Sequence, residues 1–204
     1  SAATMNVQSI SKGPLGYSGK LLYLYEQVKA HGLNLVGVQE GRNEEVFSTS
    51  HDMLRIGAGH CGGHYGVELW VNLKQPIGID KKKQPRYLKA QHFQVCHKDP
   101  QRLVVKCQAE LLTCWILVAH APQSGKPFHE RQEWWTETQT ILDARIKPAE
   151  TVFVCLDANA PPGPCYHRHV FSKGFASASG TALLRKFCDH FDLCLPSTSG
   201  KHSG

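Results

Sequence analysis

The sequence lacks any apolar run that approaches the roughly 20 residues needed to cross a bilayer. It also lacks the pattern of a signal peptide near its start. These absences predict an intracellular protein with no membrane anchor. The chain begins at Ser1 without an initiator methionine, which indicates an excised domain or a fragment.

No two cysteines have the C-x2-C spacing of a zinc site, although the chain contains eight cysteines. Cys107, Cys114 and Cys155 fall inside apolar runs that are typical of strands. We interpret them as small buried hydrophobic residues in a reducing compartment, and we expect no disulfides.

No internal repeat or low-complexity segment interrupts the 204 residues, of which 41% are hydrophobic and 20% charged. This length supports one domain with a substantial core and is short for two. We therefore expect one domain over residues 1–195. The small, polar residues 196–204 are expected to form a disordered tail.

Acidic residues are outnumbered by basic ones, 17 to 23, and the formal net charge is +6. A moderately basic balance suits a phosphate-rich partner. The densest basic run extends from Lys81 to Lys89, and a solvated loop is one interpretation of it. The alternative is a contact with the DNA backbone through Lys81, Lys82 and Lys83.

The most informative segment is residues 151–160. It opens with an apolar, β-branched run and continues directly into Asp157 and Asn159, after which Pro161 and its neighbours prevent further strand pairing. Side chains two residues apart at a strand end point to the same side. Taken alone, the segment also fits an Asx turn that closes a strand.

Three other apolar runs also end in polar residues. Residues 2–5 lead to Asn6, residues 33–38 lead to Glu40, and residues 112–119 lead to His120. Carboxylate, imidazole and carboxamide groups can all hold a hard cation or a phosphate. Because ligands bind at the strand ends of α/β sheets, the sequence predicts that these side chains meet at one rim.

Periodicity predicts most of the remaining elements. A first helix is capped by Ser18 and ends at His31-Gly32, and the strand–helix–strand opening indicates an α/β sandwich. Residues 41–50 are polar, and a β-meander covers residues 93–119. A second helix starts at Pro127, a loop over residues 161–178 is expected to be mobile, and residues 180–195 form a third helix with a short exit strand.

In these motifs the chain resembles the endonuclease/exonuclease/phosphatase superfamily, and particularly the endonuclease domains of non-LTR (LINE-type) retrotransposons. The matching motifs are Asn6-Val-Gln-Ser-Ile10, Val38-Gln-Glu40, Gly66-Val-Glu-Leu-Trp-Val71, Ala119-His-Ala-Pro-Gln123 and Leu156-Asp-Ala-Asn-Ala160. The resemblance implies an α/β fold, a four-layered sandwich of two packed mixed β-sheets flanked by helices, incomplete at its C-terminus.

The resemblance also implies a Mg²⁺-dependent phosphodiester hydrolase, with Mn²⁺ as the alternative cation, that nicks DNA in the nucleus. Glu40 would bind the metal, and Asn6 would complete or orient its shell. Asp157 would orient and deprotonate the attacking water, directly or through a histidine. Asn159 would donate hydrogen bonds to a non-bridging phosphate oxygen.

Further roles are implied for the residues near these motifs. Arg42 and Asn43 would contact phosphate groups of the nucleic acid. His120 stands where many of these proteins have a tyrosine, and we expect it to contact the phosphate. Because histidine changes charge near neutral pH, this exchange would make activity more pH-dependent. Leu156 stands where glycine usually precedes the aspartate; its side chain would either crowd the backbone or be accepted at a buried strand end.

Proteins of this superfamily carry a later strand with a second Asp and a final Ser-Asp-His segment, and this chain has no counterpart before Gly204. We therefore expect weak metal binding, little nuclease activity and an unpaired sheet edge. A phosphatase or lipid phosphodiesterase and a non-catalytic remnant that serves as a binding module are the open alternatives. The sequence indicates no obligate protein partner.

Overall fold

The computed structural model of the chain describes residues 1–10, 19–161, 165–167, 170–172 and 178–194. The strands are β1 (Ala2–Asn6), β2 (Leu35–Gln39), β3 (Val46–Ser50), β4 (Met53–Gly57), β5 (Glu68–Asn72), β6 (Pro76–Ile79), β7 (Pro85–Tyr87), β8 (Phe93–Asp99), β9 (Arg102–Ala109), β10 (Leu112–His120), β11 (Val152–Asp157), β12 (Cys165–His167) and β13 (Val170–Ser172). The helices are α1 (Lys20–Ala30), α2 (Phe128–Asp143) and α3 (Ala178–His190). The predicted tail over residues 196–204 lies outside the described residues.

The chain forms two compact units. The first contains Ser1–His120 and Arg145–Asp157, and the second contains Ala121–Ala144 and Ala158–Gly204. The first unit holds both large sheets and α1, and the second holds α2, α3 and the small β12–β13 pair. The class is α/β with mixed sheets, as the sequence predicts.

Two mixed sheets form the first unit. The five-stranded sheet has the order β1-β2-β5-β4-β3, and only its β1–β2 pair is parallel. The four-stranded sheet has the order β11-β10-β9-β8, and only its β10–β11 pair is parallel. Each sheet therefore ends in one parallel pair, and each parallel pair carries two of the motifs.

The strands β2, β4 and β5 are buried along their whole length because both faces of the first sheet are covered. On one face, Leu21, Tyr25 and Val28 of α1 pack against Val36 and Trp70. The opposite face packs against the second sheet. The buried members of that interface are Leu54, Ile56, Leu69, Val71, Val105, Cys107, Ile116 and Val118. Helix, sheet and sheet thus form three layers of the predicted sandwich.

In the second unit, α2 and α3 pack together through aromatic and polar side chains. Trp135 contacts Phe187 with 5.2 Å between ring centroids. Asp143 and His190 are joined at 2.8 Å. This mutual contact explains part of the amphipathic pattern of each helix. No helix within the described residues is long and apolar enough to cross a membrane.

Several local features were not predicted or differ from the prediction. The polar segment 41–50 contains β3, an edge strand whose side chains are mostly exposed, so it shows no apolar alternation. The basic run contains β7, and the loop over residues 161–178 contains β12 and β13. Gly19 is the N-cap of α1, and Ser18 lies outside the described residues. Residues 191 and 192 form a turn, and the described part of the predicted exit strand, up to residue 194, contains no strand.

The strands β2 and β11 approach each other closely where Gly37 faces Cys155. A Cβ atom at position 37 would lie 2.1 Å from the Cβ of Cys155, closer than two such atoms can come. The Nε2 of Gln39 donates to the carbonyl of Cys155 at 3.0 Å, and the Cys155 thiol donates to the carbonyl of Ala3 at 3.5 Å. The missing side chain at Gly37 therefore sets the spacing of the two sheets here.

Replacing Gly37 with alanine tests this contact. We expect Gly37→Ala to lower the free energy of unfolding by about 1–3 kcal/mol, because the new methyl group overpacks the interface between the sheets. Urea unfolding measures the change. Gly125→Ala is the matched control, since a Cβ at position 125 meets nothing within 4 Å.

The double variant Gly37→Ala/Cys155→Gly removes the opposing Cβ and separates steric overlap from other effects. It should be more stable than the sum of the two single changes by about 1 kcal/mol or more. Strict additivity of the two substitutions would contradict a direct contact between positions 37 and 155.

Candidate active site

Four polar side chains lie at the carboxyl ends of the two parallel strand pairs. The register of β1 and β2 pairs Asn6 with Gln39, so Asn6 ends beside Glu40. The register of β10 and β11 pairs His120 with Asp157. Parallel strands end on the same side of a sheet, where ligands of α/β proteins bind. The structure therefore brings these four side chains to one rim.

Asn6 bridges the two carboxylates. Its Nδ2 donates to Oε1 of Glu40 at 2.7 Å and to Oδ2 of Asp157 at 2.9 Å. Its Oδ1 accepts a hydrogen bond from the backbone N–H of Gln8 at 3.1 Å, which fixes the orientation of the carboxamide. Both N–H bonds of Asn6 are therefore used to hold the carboxylates together, and its role toward a metal stays a prediction.

His120 is the buried member of the group, with 4% of its surface exposed. Its Nε2 lies 3.9 Å from Oε1 of Glu40 and 4.0 Å from Oδ2 of Asp157. The ring of Tyr65 packs against the imidazole at 5.7 Å between centroids. The backbone N–H of His120 donates to the carbonyl of Gln101 at 2.9 Å. The imidazole is thus fixed both by its backbone and by an aromatic neighbour.

One ligand atom from each of Glu40, His120 and Asp157 lies within 4.8 Å of the other two. The guanidinium of Arg42 lies 3.2 Å from Oε2 of Glu40, while Oε1 of the same carboxylate faces the group. The side chains of Glu40 and Asp157 are 19% and 27% exposed. Two adjacent carboxylates and an imidazole at a partly open rim fit a divalent cation.

The segment that carries Glu40 has left-handed backbone, with φ of +56° at Glu40 and +54° at Arg42. For residues with a side chain this conformation costs roughly 1–2 kcal/mol each. The N–H of Gly41 donates to the carbonyl of Gly66 at 2.9 Å, and the N–H of Arg42 donates to that of Tyr65 at 3.2 Å. These bonds hold the strained segment in place, and such strain is concentrated at functional sites.

Gly66 allows this close pairing. Its φ is +86°, and a Cβ atom there would lie 2.8 Å from the backbone nitrogen of Arg42. Any side chain at position 66 would therefore push Arg42, and with it the Glu40 segment, away from Tyr65 and Gly66.

Glu68 anchors the same segment from within the core. It is 2% exposed and accepts two hydrogen bonds from Arg55, at 2.9 and 2.8 Å. Trp70 Nε1 donates at 2.7 Å and Asn43 Nδ2 at 2.6 Å. Asn43, which the resemblance assigns to phosphate contact, thus has its carboxamide on Glu68. A buried charge with this many partners is satisfied where it lies.

Asn159 lies in the second unit. Its φ is +45°, and its Nδ2 donates to the carbonyl of Ala121 at 2.7 Å, within the same unit. Its role toward a phosphate stays a prediction.

Lys81, Lys82 and Lys83 lie exposed in the turn between β6 and β7. Asp80 organises this turn, since its Oδ1 accepts the N–H groups of Gln84 and Lys82, each at 2.8 Å. These hydrogen bonds, that of Gln84 foremost, together with the Arg86 guanidinium, hold the pKa of Asp80 below its usual value. The three lysines are thus presented to solvent on an ordered hairpin.

Sequence reasoning missed two supporting residues, Tyr65 and Glu68. A signal existed for Glu68, because a charged residue inside the otherwise apolar strand β5 needs a buried partner. No local pattern marks Tyr65, whose contact with His120 depends on the pairing of distant segments.

The fold is similar to solved structures of endonucleases. The endonuclease domain of TRAS1, a telomere-specific non-LTR retrotransposon, matches with a TM-score of 0.56 and 12% identity over 93% of this chain and 69% of that one. AP endonucleases from Leishmania major and Archaeoglobus fulgidus each match with a TM-score of 0.59 over 93% of this chain, at 9% and 16% identity, and are covered over 66% and 70% of their lengths.

This chain therefore spans about two thirds of the length of those structures. No protein-family model and no curated protein matches the sequence. The structural likeness confirms the predicted endonuclease/exonuclease/phosphatase fold.

The Glu68 anchor can be tested by removing its charge. We expect Glu68→Gln to lower the free energy of unfolding by about 3–5 kcal/mol, because the buried Arg55 loses its counter-charge. Urea unfolding followed by tryptophan fluorescence gives the value. Glu26→Gln is the control, since Glu26 pairs with Lys29 at 3.1 Å on the surface of α1 and should contribute about 0–1 kcal/mol. Equal losses in the two variants would contradict the anchoring role.

Proposed function

We propose, on the premise of the endonuclease/exonuclease/phosphatase fold, that this chain is a divalent-cation-dependent phosphodiester hydrolase that acts on DNA. The observation that carries the proposal is the convergence of Glu40, His120 and Asp157 within 4.8 Å, with Asn6 hydrogen-bonded to both carboxylates. These groups come from four separate strand ends.

The proposed cation is Mg²⁺, with Mn²⁺ as the alternative. Glu40 would hold it through Oε1, the oxygen that faces His120, while Arg42 keeps Oε2 in place at 3.2 Å. When bound, the cation offsets phosphate charge and assists the leaving oxygen as a Lewis acid. Asn6, which donates to both carboxylates, would keep them side by side for the cation.

Each of the remaining site residues would then have a separate role in the reaction. Asp157, which is 27% exposed, would orient the attacking water and accept its proton. His120 would contact the phosphate from the buried side of the site. Arg42 would donate to a phosphate oxygen, where charge-assisted hydrogen bonds are strong. Asn159 would stabilise the charge that develops on a non-bridging oxygen.

DNA is the proposed substrate because its backbone suits the basic balance of the chain. The formal net charge is +6, and the exposed turn of Lys81, Lys82 and Lys83 offers further phosphate contacts. Solved structures with this fold include AP endonucleases and a retrotransposon endonuclease domain. We extend the proposal to nicking of nuclear target DNA by a LINE-type retrotransposon protein.

A nicking assay on supercoiled plasmid tests the proposal, with the protein in excess so that slow single turnovers are seen. We expect open-circular product with Mg²⁺ or Mn²⁺ and none with EDTA. Glu40→Gln and Asp157→Asn should each slow nicking by about 10²–10⁴-fold, the range of general acid–base contributions. The control Glu45→Gln, at an exposed carboxylate that pairs with Lys98, should leave the rate unchanged.

Equal nicking by all four proteins would show a contaminating nuclease and overturn the assignment. Hydrolysis of an inositol phosphate or a phosphoinositide, without nicking, would establish the phosphatase or lipid phosphodiesterase instead. Salt-sensitive DNA binding without hydrolysis of any substrate would leave a binding module with this fold.

A further inference from the structure

We propose that His120 is a direct ligand of the cation, and that the site therefore selects a transition-metal ion of the Mn²⁺ or Zn²⁺ type over Mg²⁺. The inference rests on the proposed function for the presence of a cation at this rim. It goes further by replacing the direct phosphate contact of His120 with a bond to the metal, and by naming a transition-metal ion in place of Mg²⁺.

The first argument is distance. Nε2 of His120 lies 3.9 Å from Oε1 of Glu40 and 4.0 Å from Oδ2 of Asp157. These separations are too long for hydrogen bonds. Two donors that share an ion at bond lengths of about 2.0–2.2 Å lie about 3 Å apart when adjacent and about 4.2 Å apart when opposite. The separations from His120 fall inside this range.

The second argument is the state of the imidazole. His120 is 4% exposed, and its Nδ1 is buried without a hydrogen-bond partner within the described residues. In that part of the chain, Nε2 has only the two carboxylates beyond hydrogen-bond distance. A buried imidazole in which neither nitrogen forms a hydrogen bond within the described residues is costly. A cation between Nε2 and Oε1 of Glu40 would satisfy one nitrogen and set the ring tautomer, with the proton on Nδ1.

The third argument is rigidity. The backbone of His120 is fixed by its pairing with Asp157 in β11 and by the hydrogen bond to Gln101, and Tyr65 packs against the ring. The backbone that carries the imidazole is therefore held beside the carboxylates. On the other side, Asn6 and Arg42 fix both oxygens of Glu40. Prearranged ligands of this kind impose their chemistry on the choice of ion.

The ligand types decide which ion is preferred. Carboxylate and water oxygens suit Mg²⁺, which rarely takes other ligands in proteins. Imidazole shifts the preference toward transition metals, whose affinities for nitrogen ligands are higher. His120 is therefore the residue of this group whose side-chain type would alter metal choice in this chain.

Pulsed electron paramagnetic resonance of bound Mn²⁺ tests the assignment directly, since a coordinated imidazole gives a ¹⁴N modulation. We expect the modulation in the wild-type chain, its loss in His120→Gln, and its retention in His129→Gln, which changes an exposed histidine of α2. Mn²⁺ affinity should fall at least about tenfold in His120→Gln, because even loss of an outer partner typically costs about 10- to 100-fold. Mg²⁺ affinity should fall less, so the ratio of Mn²⁺ affinity to Mg²⁺ affinity should be smaller in His120→Gln than in the wild-type chain.

Two further variants keep the outcomes distinct. Glu40→Gln should weaken both ions, and His120→Tyr serves as a second replacement if thermal unfolding shows that His120→Gln does not fold. Mn²⁺ bound in a Glu40-dependent way but without ¹⁴N modulation would overturn the His120 assignment and leave the proposed hydrolase intact. Failure of the wild-type chain to bind any divalent ion would overturn both. Modulation without hydrolysis of any substrate would support His120 and overturn the hydrolase.

Discussion

The contact between Gly37 of β2 and Cys155 of β11 is the constraint on which the geometry of the first unit depends. Beyond this contact each strand continues for only two or three residues before it delivers Glu40 or Asp157. Because strands are stiff, the spacing fixed at the contact is passed directly to the two carboxylates. Gln39, which donates to the Cys155 carbonyl at 3.0 Å, prevents the strands from sliding between these points. The rim is therefore a product of sheet packing as much as of the side chains that occupy it.

At the rim itself, several features are energetically unfavourable and are stabilised only by neighbouring residues. Two carboxylates share the N–H groups of Asn6, a buried imidazole lies beside them, and Glu40 occupies left-handed backbone. Each of these features lowers the folding stability of the chain. The core anchor at Glu68 and the pairing of Gly41 with Gly66 supply the compensation. Under the proposed function, a bound cation would offset the mutual repulsion of the two carboxylates.

The sequence was sufficient to predict the rim because the signal is local: an apolar run followed at once by Glu40, His120 or Asp157. The sheet register that brings His120 opposite Asp157 then follows from parallel pairing. The partners of Glu68 and Tyr65 could not be predicted, because they are assembled by segments far apart in the chain. The edge strand β3 was missed since an exposed strand carries no periodic apolar pattern. The local sequence thus predicts which polar side chains lie at the rim, and long-range pairing determines which residues support them.

The burial of Cys155 has a practical consequence. Burial raises the pKa of its thiol to about 11, so the sulfur stays neutral and shielded at physiological pH. Alkylating reagents can reach it only after the two sheets have parted. The rate at which an alkylating reagent labels Cys155 under native conditions therefore reports how often the interface between the two sheets opens.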